Sequence, residues 1–370
     1  PCTRDAASSP RRGTARPPAL CGGAQCAHLR ATMRAYIAST AFFVPPNRVT
    51  NDDLVSQFHI DTTNDWIVQR TGIEARHFAD DGVGPSDLAE PAARDAIARA
   101  GLQKDDIDMI VFATLSPEHA FPGSGCYLQA KLGLVGVPAM DVRNQCSGFL
   151  YALASAKGFV ESGLAKNVLV VGGEKHSAGL DLSTAGRTVA CLFGDGAGAV
   201  VVRGTDDPER GIRWMNLGAD GRFADSLSQK VWDSRHRPFV KKDPETGKHV
   251  VPADMMWANM DGKVVFKNAV EKMILSVMGM CMENGIEATD LDLVVCHQAN
   301  MRINEFVRDQ LGLPADKVPN NIQKYGNTTA ATIPILLAEL ERDGRLKPGM
   351  KVALVGFGSG FTWGSAYLVW

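Results

Sequence analysis

Two stretches of the sequence, GLQKDDIDMIVFATL at 101–115 and GIEATDLDLVVCHQA at 285–299, follow one pattern. In each, a glycine typical of a helix end precedes an acidic turn and then a run of apolar residues. The two glycines, Gly101 and Gly285, are 184 positions apart. The pattern therefore indicates a repeated unit of helix, turn and buried strand.

Two further pairs of segments keep the same order at nearly the same offset. NVLVVGG at 167–173 corresponds to MKVALVGFG at 350–358, and VPAMDVRNQCSGFLYAL at 137–153 corresponds to VPNNIQKYGNTTAATIP at 318–334. Continuous apolar runs alternate with helical segments in both copies, which favours sheets covered by helices. We therefore predict an α/β chain that contains the same architecture twice.

The repeat predicts an N-terminal half at 33–205 and a C-terminal half at 206–370. Cys146 and Asn327 hold corresponding positions in these halves, 181 residues apart, and each lies at the predicted entry to a helix. Two such helix N-termini can meet at one site between the halves. We expect Cys146 in the first half and Asn327 in the second to face that site.

The bulk composition excludes several classes of partner. The chain has 370 residues and a net charge of −2, so no basic excess favours nucleic acid or an anionic membrane. No uninterrupted apolar stretch reaches the about 18 residues of a membrane span. The eight cysteines form no CxxC pair, which argues against zinc and redox motifs and predicts reduced thiols in the cytoplasm.

Residues 1–32 differ in composition from the rest. They contain five Arg, four Pro and one acidic residue without an apolar period, which predicts disorder. The first methionine, Met33, directly precedes the strand-like RAYIASTAFFV at 34–44. We interpret 1–32 as a disordered leader or a non-native upstream segment, with an Arg-rich organelle transit peptide as the alternative.

Cys146 is the leading candidate for a nucleophile. The apolar segment FLYALASAKGFVESG at 149–163 predicts a buried helix behind it. A thiol at a helix N-terminus lies at the positive end of the helix dipole, which favours the thiolate and makes it a candidate nucleophile for acyl transfer. The other cysteines beyond Met33 are predicted to be small buried hydrophobes, namely Cys126, Cys191, Cys281 and Cys296.

His297 and Asn327 are the candidate partners of this thiol. His297 follows the apolar strand LDLVVC, and ligands bind at the carboxyl ends of strands in α/β sheets. A neutral histidine and an amide can both donate hydrogen bonds to a thioester oxygen, which stabilises the enolate left by decarboxylation. Simpler roles, a core histidine for His297 and a helix N-cap for Asn327, remain open at this stage.

The C-terminal segment GFGSGFTWGSAYLVW at 356–370 is the last candidate element. Its glycines allow the backbone to approach a ligand closely. We predict that backbone amides at Ser359 and Cys146 form an oxyanion hole, with a glycine-rich turn before a final strand as the alternative. No GKS or GKT follows, which argues against a phosphate-binding loop.

At this point the sequence resembles the β-ketoacyl-acyl carrier protein synthase III family, the initiating condensing enzymes of fatty acid biosynthesis. The resemblance runs from Met33 to Trp370. It implies a thiolase-like duplicated fold with a layered α-β-α-β-α core. The motifs that carry it are DWIVQRTGIEARH (65–77), HAFPGSG (119–125), CSGF (146–149), LFGDGAGAV (192–200), HQANMRIN (297–304), YGNTTAA (325–331) and GFGSGFTWGSA (356–366).

The resemblance implies a role for each residue of the chemical centre. Cys146 takes the acyl group of an acyl-CoA primer, and His297 with Asn327 promotes decarboxylation of malonyl-acyl carrier protein. The products are a 3-oxoacyl-carrier protein, CO2 and CoA. No metal or redox cofactor is implied.

Further residues match binding positions of the family. Trp66, Arg70 and Arg187 match those that hold the adenine end of CoA, with a core aromatic and solvated charges as the alternatives. Phe121 matches a residue that reaches the acyl pocket of a partner subunit, which implies a homodimer, and Phe193 matches a wall of that pocket.

The acyl carrier protein has its own predicted docking positions. Lys267 and Arg302 match basic residues near the entrance of the family's active site, where the acidic carrier protein binds. Their alternative interpretation is a pair of solvated surface charges.

Two departures from the family pattern leave the substrate open. VRNQ at 142–145 replaces the small residues usual before the nucleophile, and 223–262 is longer than usual by about 15 residues, a length that loops tolerate. The long segment is either an altered lid, with MMWANM lining a pocket for longer chains, or a surface hairpin. The alternatives for function are a secondary-metabolism acyltransferase, using a medium-chain donor or another acceptor, and a non-catalytic acyl-binding homologue.

Overall fold

The computed structural model describes residues 33–231, 233–235 and 240–370, without the side chains at 253 and 254. The predictions for 1–32 lie outside these residues. The strands are β1 (Arg34–Phe43), β2 (Arg48–Thr50), β3 (Ala75–His77), β4 (Met109–Ala113), β5 (Ala139–Val142), β6 (Asn167–Glu174), β7 (Gly196–Thr205), β8 (Gly211–Ala219), β9 (Leu227–Ser228), β10 (Lys241–Lys242), β11 (His249–Val250), β12 (Asn259–Met260), β13 (Leu293–Cys296), β14 (Lys351–Gly358) and β15 (Thr362–Val369).

Helices alternate with these strands along both halves of the chain. The helices are α1 (Asn51–Phe58), α2 (Asn64–Thr71), α3 (Pro85–Arg99), α4 (Ser124–Lys131), α5 (Gly148–Glu161), α6 (Arg187–Ala190), α7 (Ala253–Met256), α8 (Gly262–Asn284), α9 (Met301–Gln310), α10 (Ile322–Tyr325) and α11 (Thr332–Arg342).

The two large sheets have the same topology. The first has the order β1-β7-β6-β4-β5 and the second the order β8-β15-β14-β13. The first two neighbouring pairs in each order are antiparallel, and the third pair is parallel. The sheets therefore share their strand order and their strand directions over four positions.

The register of the strands follows the sequence repeat residue by residue. Met109 of β4 pairs with Val168 of β6, and Leu293 of β13 pairs with Val352 of β14. These are corresponding positions, because each residue of the second pair lies 184 places after its counterpart in the first. The predicted duplicated α/β fold is confirmed at this level.

Two buried helices lie between the sheets and form the centre of the core. Phe149 and Leu153 of α5 and Leu336 of α11 belong to one apolar cluster with Val170 of the first sheet and Leu354 of the second. Burial of a leucine side chain of this kind contributes about 1.5–3 kcal/mol. Helix α3 covers the outer face of the first sheet and α8 that of the second, which completes the α-β-α-β-α layers.

The 223–262 segment belongs to the second half and lies between β8 and α8. Strand β9 pairs with β12 at its base, while β10 and β11 form a separate exposed hairpin. Strand β7 ends at Thr205, and the boundary at 205/206 stays a prediction.

Candidate active site

A cavity of about 940 Å³ lies at the carboxyl ends of the central strands. Cys146, His297 and Asn327 all line it. His297 directly follows β13, Cys146 lies in a short 3-10 turn before α5, and Asn327 precedes the turn that leads into α11. The duplicated fold thus brings one residue from the first half and two from the second to a common space.

Cys146 is buried against the C-terminal glycine segment. A Cβ atom at Gly358 would lie 2.8 Å from Cys146 Cβ and 2.9 Å from its backbone nitrogen. Real Cβ atoms do not approach that closely, so only glycine permits this contact. Ser359 follows at once, and its hydroxyl donates a hydrogen bond to the backbone carbonyl of Leu227.

The thiol of Cys146 is protonated in this environment. Burial raises its pKa to about 12, and the nearby negative charge of Glu174 acts in the same direction. Hydrogen bonds with the Cys146 amide, Thr329 and Asn327 oppose this rise without overcoming it. The expectation that the helix dipole would favour a resting thiolate is therefore wrong, because desolvation of the sulfur outweighs it.

His297 is neutral and has one ring nitrogen available. Its Nδ1 atom lies 2.7 Å from Thr332 Oγ1, and its Nε2 atom is buried without a hydrogen-bond partner among the described residues. Burial lowers the pKa of His297 to about 3. A buried polar atom without a partner that borders a cavity is suited to bind a substrate atom there.

The amide of Asn327 is oriented by its own turn. Its Oδ1 atom accepts a hydrogen bond from the backbone N–H of Thr329 at 2.8 Å. Since the oxygen is used in this contact, the Nδ2 group is the part left to donate into the site. Asn327 thus caps the turn and offers a donor to the cavity at the same time.

The three residues predicted to hold the adenine end of CoA lie together. The guanidinium carbon of Arg70 is 4.4 Å from the ring centroid of Trp66, and that of Arg187 is 5.5 Å from it. Trp66 and Arg70 line the main cavity, and Arg187 donates a hydrogen bond to the backbone oxygen of Asp61. An aromatic ring with two cations suits a flat, electron-rich group with attached phosphates.

The remaining predicted residues are dispersed. Phe193 and Arg302 line the cavity, whereas Lys267 is exposed on α8. Phe121 is 85% exposed and does not line this cavity in its own chain.

The long 223–262 segment contributes to the wall through its base. Leu227 of β9 and Met260 of β12 line the cavity. The hairpin of β10 and β11 is exposed at Lys241, Lys242 and Val250. The segment therefore combines features of both predictions, a pocket wall at its base and a surface hairpin beyond it.

Four cysteines other than Cys146 were predicted to be buried. Cys191, Cys281 and Cys296 are buried, as predicted. The prediction for Cys126 is wrong, because α4 buries the face that carries Gly125 and Leu128 and leaves Cys126 exposed.

Sequence reasoning missed a polar cluster beside Cys146. Glu174 ends β6, His176 follows two residues later, and both are buried together with Thr329. Burial raises the pKa of Glu174 to about 7 and lowers that of His176 to about 3. The signal was present as EKH directly after the apolar run NVLVVGG, where charged side chains are unusual.

Two other features are absent from the described residues. No helix there is long and apolar enough to cross a membrane. No group of three or more His, Cys, Asp or Glu side chains in that part of the chain is placed to hold a metal ion.

Comparison with known proteins agrees with this geometry. Residues 140–221 match the family model for 3-oxoacyl-[acyl-carrier-protein] synthase III, and residues 281–370 match the model for its C-terminal part. The chain is 41% identical over 338 residues to the β-ketoacyl-[acyl-carrier-protein] synthase III of Bordetella petrii, covering 90% of this chain and 96% of that protein.

Solved structures show the same relationship. The 3-oxoacyl-[acyl-carrier-protein] synthase III of Aquifex aeolicus superposes with a TM-score of 0.81 at 37% identity, over 91% of this chain and 100% of the other. The priming β-ketosynthase from the R1128 polyketide biosynthetic pathway gives a TM-score of 0.81 at 32% identity, over 92% and 98%.

The fold and the comparisons define a thiolase-like acyltransferase of the condensing type. This chain belongs to the β-ketoacyl-[acyl-carrier-protein] synthase III family.

Proposed function

We propose that this enzyme initiates fatty acid biosynthesis by decarboxylative Claisen condensation, with Cys146 as the nucleophile. An acyl-CoA transfers its acyl group to Cys146 and CoA leaves. Malonyl-acyl carrier protein then binds, loses CO2 and attacks the acyl-Cys146 thioester to give a 3-oxoacyl-carrier protein. The observation that supports this most directly is the cavity shared by Cys146, His297 and Asn327.

His297 and Asn327 serve the second half of the reaction in this proposal. Both present buried nitrogen atoms to the cavity, Nε2 of His297 and Nδ2 of Asn327. Nδ2 of Asn327 donates to the malonyl thioester oxygen as CO2 leaves. Nε2 of His297 donates to the same oxygen in the tautomer in which the Thr332 hydroxyl donates to Nδ1. Two such donors in a water-poor site stabilise the negative charge. Backbone amides at Cys146 and Ser359 would hold the oxyanion of the acyl-enzyme step. Side chains and backbone supply this chemistry, so the proposed reaction calls for no metal or redox cofactor.

The proposal also covers the binding partners. The cationic cluster at Trp66, Arg70 and Arg187 would hold the nucleotide of CoA, and exposed Lys267 with Arg302 at the cavity mouth would dock the acidic carrier protein.

The assembly and the compartment belong to the same proposal. Exposed Phe121 would enter the acyl pocket of a second copy, which makes the enzyme a homodimer. The free thiols among the described residues fit a reducing compartment such as the cytoplasm.

A second candidate is priming in secondary metabolism with a medium-chain donor. It is favoured by the similarity to a polyketide priming synthase and by the wall that Leu227 and Met260 add to the cavity. Chain-length preference separates the candidates, because the second one requires a medium-chain donor.

The experiment is intact-mass analysis after mixing the enzyme with acyl-CoAs from acetyl to dodecanoyl. A mass increase that disappears in Cys146→Ala supports the nucleophile, and the fastest donor gives the primer class. His297→Ala and Asn327→Ala should load normally and fail to condense with malonyl-acyl carrier protein. An absence of any adduct, or normal condensation by His297→Ala, overturns the proposal.

A further inference from the structure

A chain of hydroxyl groups connects the turn that carries Cys146 with the turn that carries Ser359. The Oγ atom of Ser147 lies 2.8 Å from Oγ1 of Thr362, and Oγ1 of Thr362 donates to the backbone carbonyl of Ser359 at 3.0 Å. Ser147 and Thr362 are 215 positions apart in the sequence. The chain therefore joins the two halves of the molecule at the residue that follows the nucleophile.

The number of hydroxyl protons decides how this chain is hydrogen-bonded. Ser147 and Thr362 supply two protons for three contacts, because Oγ of Ser147 also lies 2.9 Å from the backbone oxygen of Asn144. That oxygen already accepts the backbone N–H of Ser147 at 3.1 Å, so it keeps a partner when the Ser147 hydroxyl turns to Thr362. The arrangement that serves every group has Ser147 donating to Thr362 and Thr362 donating to Ser359.

The backbone at Thr362 is a firm attachment point for this chain. Thr362 is the first residue of β15, where it pairs with Gly358 of β14 and with Ala219 of β8. Two neighbouring strands thus fix its position. A β-branched side chain also has few allowed χ1 rotamers, so the place of the Thr362 hydroxyl is well defined.

The turn at Cys146 depends on such an attachment. Gln145 has a backbone φ of 44°, in the left-handed region that residues other than glycine rarely adopt. A turn of this kind persists only where surrounding contacts hold it. Ser147 is fully buried, and its contact with Thr362 ties the turn to the sheet of the second half.

Ser359 is held at two points besides its peptide links. Its carbonyl accepts from Thr362, and its own hydroxyl donates to the backbone carbonyl of Leu227. The preceding Gly358 packs against Cys146, where a Cβ atom would lie 2.9 Å from the Cys146 backbone nitrogen. These contacts set how the amide of Ser359 is oriented relative to the amide of Cys146.

We propose that Ser147 and Thr362 are positioning residues, which hold the backbone amides of Cys146 and Ser359 in the geometry that an acyl oxyanion needs. This inference rests on the proposed function, because it takes Cys146 as the acylated residue and the two amides as the oxyanion hole. Neither Ser147 nor Thr362 lines the cavity, so both act through the backbone that they tether.

The carbonyl stretching band of the acyl-enzyme measures this positioning. Acyl-CoA with and without ¹³C at the thioester carbonyl gives a difference infrared spectrum that isolates the acyl-Cys146 band. Hydrogen bonds to the carbonyl oxygen lower its frequency, so a displaced amide raises it. Thr362→Val, which removes the hydroxyl and keeps the shape, and Ser147→Ala should both shift the band to higher frequency. Thr362→Ser, which keeps the hydroxyl, should leave it near its original place.

The single-turnover rate of acyl loading gives a second readout. In Thr362→Val the maximal rate should fall by about tenfold or more, but by less than the about 10²–10³-fold that follows loss of an oxyanion donor itself. The donor concentration at half-maximal rate should stay within about twofold, because the tether is separate from the contacts at Trp66. Combining Thr362→Val with Ser147→Ala should add little, since both break the same chain.

Ser365→Ala is the matched control on the same strand. Its hydroxyl is buried without a hydrogen-bond partner among the described residues, so its removal breaks no tether. The carbonyl band and the loading rate of Ser365→Ala should match those of the unmodified enzyme. A band shift as large as that of Thr362→Val would overturn the inference, because loss of any β15 hydroxyl would then have the same effect.

The other outcomes separate this inference from the proposed function. If the band stays in place in both Thr362→Val and Ser147→Ala, the positioning role is wrong, while the labelled adduct still supports Cys146 as the nucleophile. If the unmodified enzyme forms no Cys146 adduct with any donor, the proposed function itself fails. Should Thr362→Val lose its thermal unfolding transition, Ser147→Ala against Ser365→Ala decides the question.

Discussion

The Oδ1 atom of Asn327 accepts the backbone N–H of Thr329 at 2.8 Å, and this contact decides which end of the Asn327 amide faces Cys146. Asn327→Asp would keep the contact and exchange the donor for a negative oxygen. Asn327→Ala would remove both. We predict that condensation with malonyl-acyl carrier protein falls by about 10²–10³ in either variant, as for other oxyanion donors.

Acyl loading should separate these two variants. A carboxylate beside Cys146 raises the pKa of its thiol further, so loading should be slower in Asn327→Asp than in Asn327→Ala. Asn320→Asp serves as the control. It makes the same change at a residue that accepts a hydrogen bond from Asn304 and does not line the cavity. Condensation within tenfold of the unmodified enzyme in both Asn327 variants would contradict the assignment.

The fold was largely predictable because the sequence contains the same order of apolar runs and turns twice. Corresponding apolar runs predicted β4 with β13 and β6 with β14, and the pairs Met109–Val168 and Leu293–Val352 keep the same offset of 184. His297 was predictable as a candidate because it is a polar residue at the end of an apolar run, and Cys146 and Asn327 because each lies at the predicted entry to a helix.

The contact between Thr329 and His176 was not predictable in the same way. Thr329 and His176 are 153 positions apart, and no repeat or spacing in the sequence predicts the hydrogen bond between them. The state of the Cys146 thiol was mispredicted for a related reason. A helix N-terminus can be identified in the sequence, but the extent to which the surrounding structure removes water from the sulfur cannot.

The contact between Trp66 and Arg70 predicts how CoA donors are recognised. Stacking of a base on an aromatic ring contributes about 1–3 kcal/mol, so Trp66→Ala should raise the KM for acyl-CoA by about tenfold or more. The loading rate at saturating donor should change little, because Trp66 is not among the hydrogen-bond partners of the Cys146 thiol.

A donor without the nucleotide provides the matched control for Trp66. A short acyl thioester that lacks the adenosine part should load equally fast in the unmodified enzyme and in Trp66→Ala. Equal losses with both donors would show that the substitution disturbs the site as a whole.

Met260 predicts a limit on acyl chain length. Its side chain belongs to the cavity wall, so Met260→Trp should reduce the space available beside Cys146. Loading with the longest acyl-CoA that the unmodified enzyme accepts should fall at least tenfold, with acetyl-CoA less affected. Intact mass over the acyl-CoA panel measures the change.

Lys242→Ala in the exposed hairpin is the control for Met260. It alters the same long segment away from the cavity and should leave the chain-length profile unchanged. An altered profile in Lys242→Ala with none in Met260→Trp would assign the selectivity to the hairpin instead of the wall.

The elevated pKa of Glu174 predicts a pH-dependent contribution to stability. Burial raises this pKa from 4.5 to about 7, so the folded protein binds the proton more tightly than the unfolded chain. The resulting stabilisation is fully present below the unfolded pKa and is lost as pH rises through about 7. A tenfold difference in proton affinity between the folded and unfolded states is worth about 1.4 kcal/mol, so the change in stability amounts to a few kcal/mol.

Urea unfolding of the unmodified enzyme and Glu174→Gln at pH 5, 6, 7 and 8 measures this contribution. The free energy of unfolding of the unmodified enzyme relative to Glu174→Gln should decrease from pH 5 to pH 8. Burial lowers the pKa values of His176 and His297, so both residues destabilise the folded protein as pH falls. This contribution is the same in both proteins and cancels in the comparison. A difference that grows with pH would mean that Glu174 is a stabilised carboxylate, because its hydrogen bonds would then outweigh its desolvation.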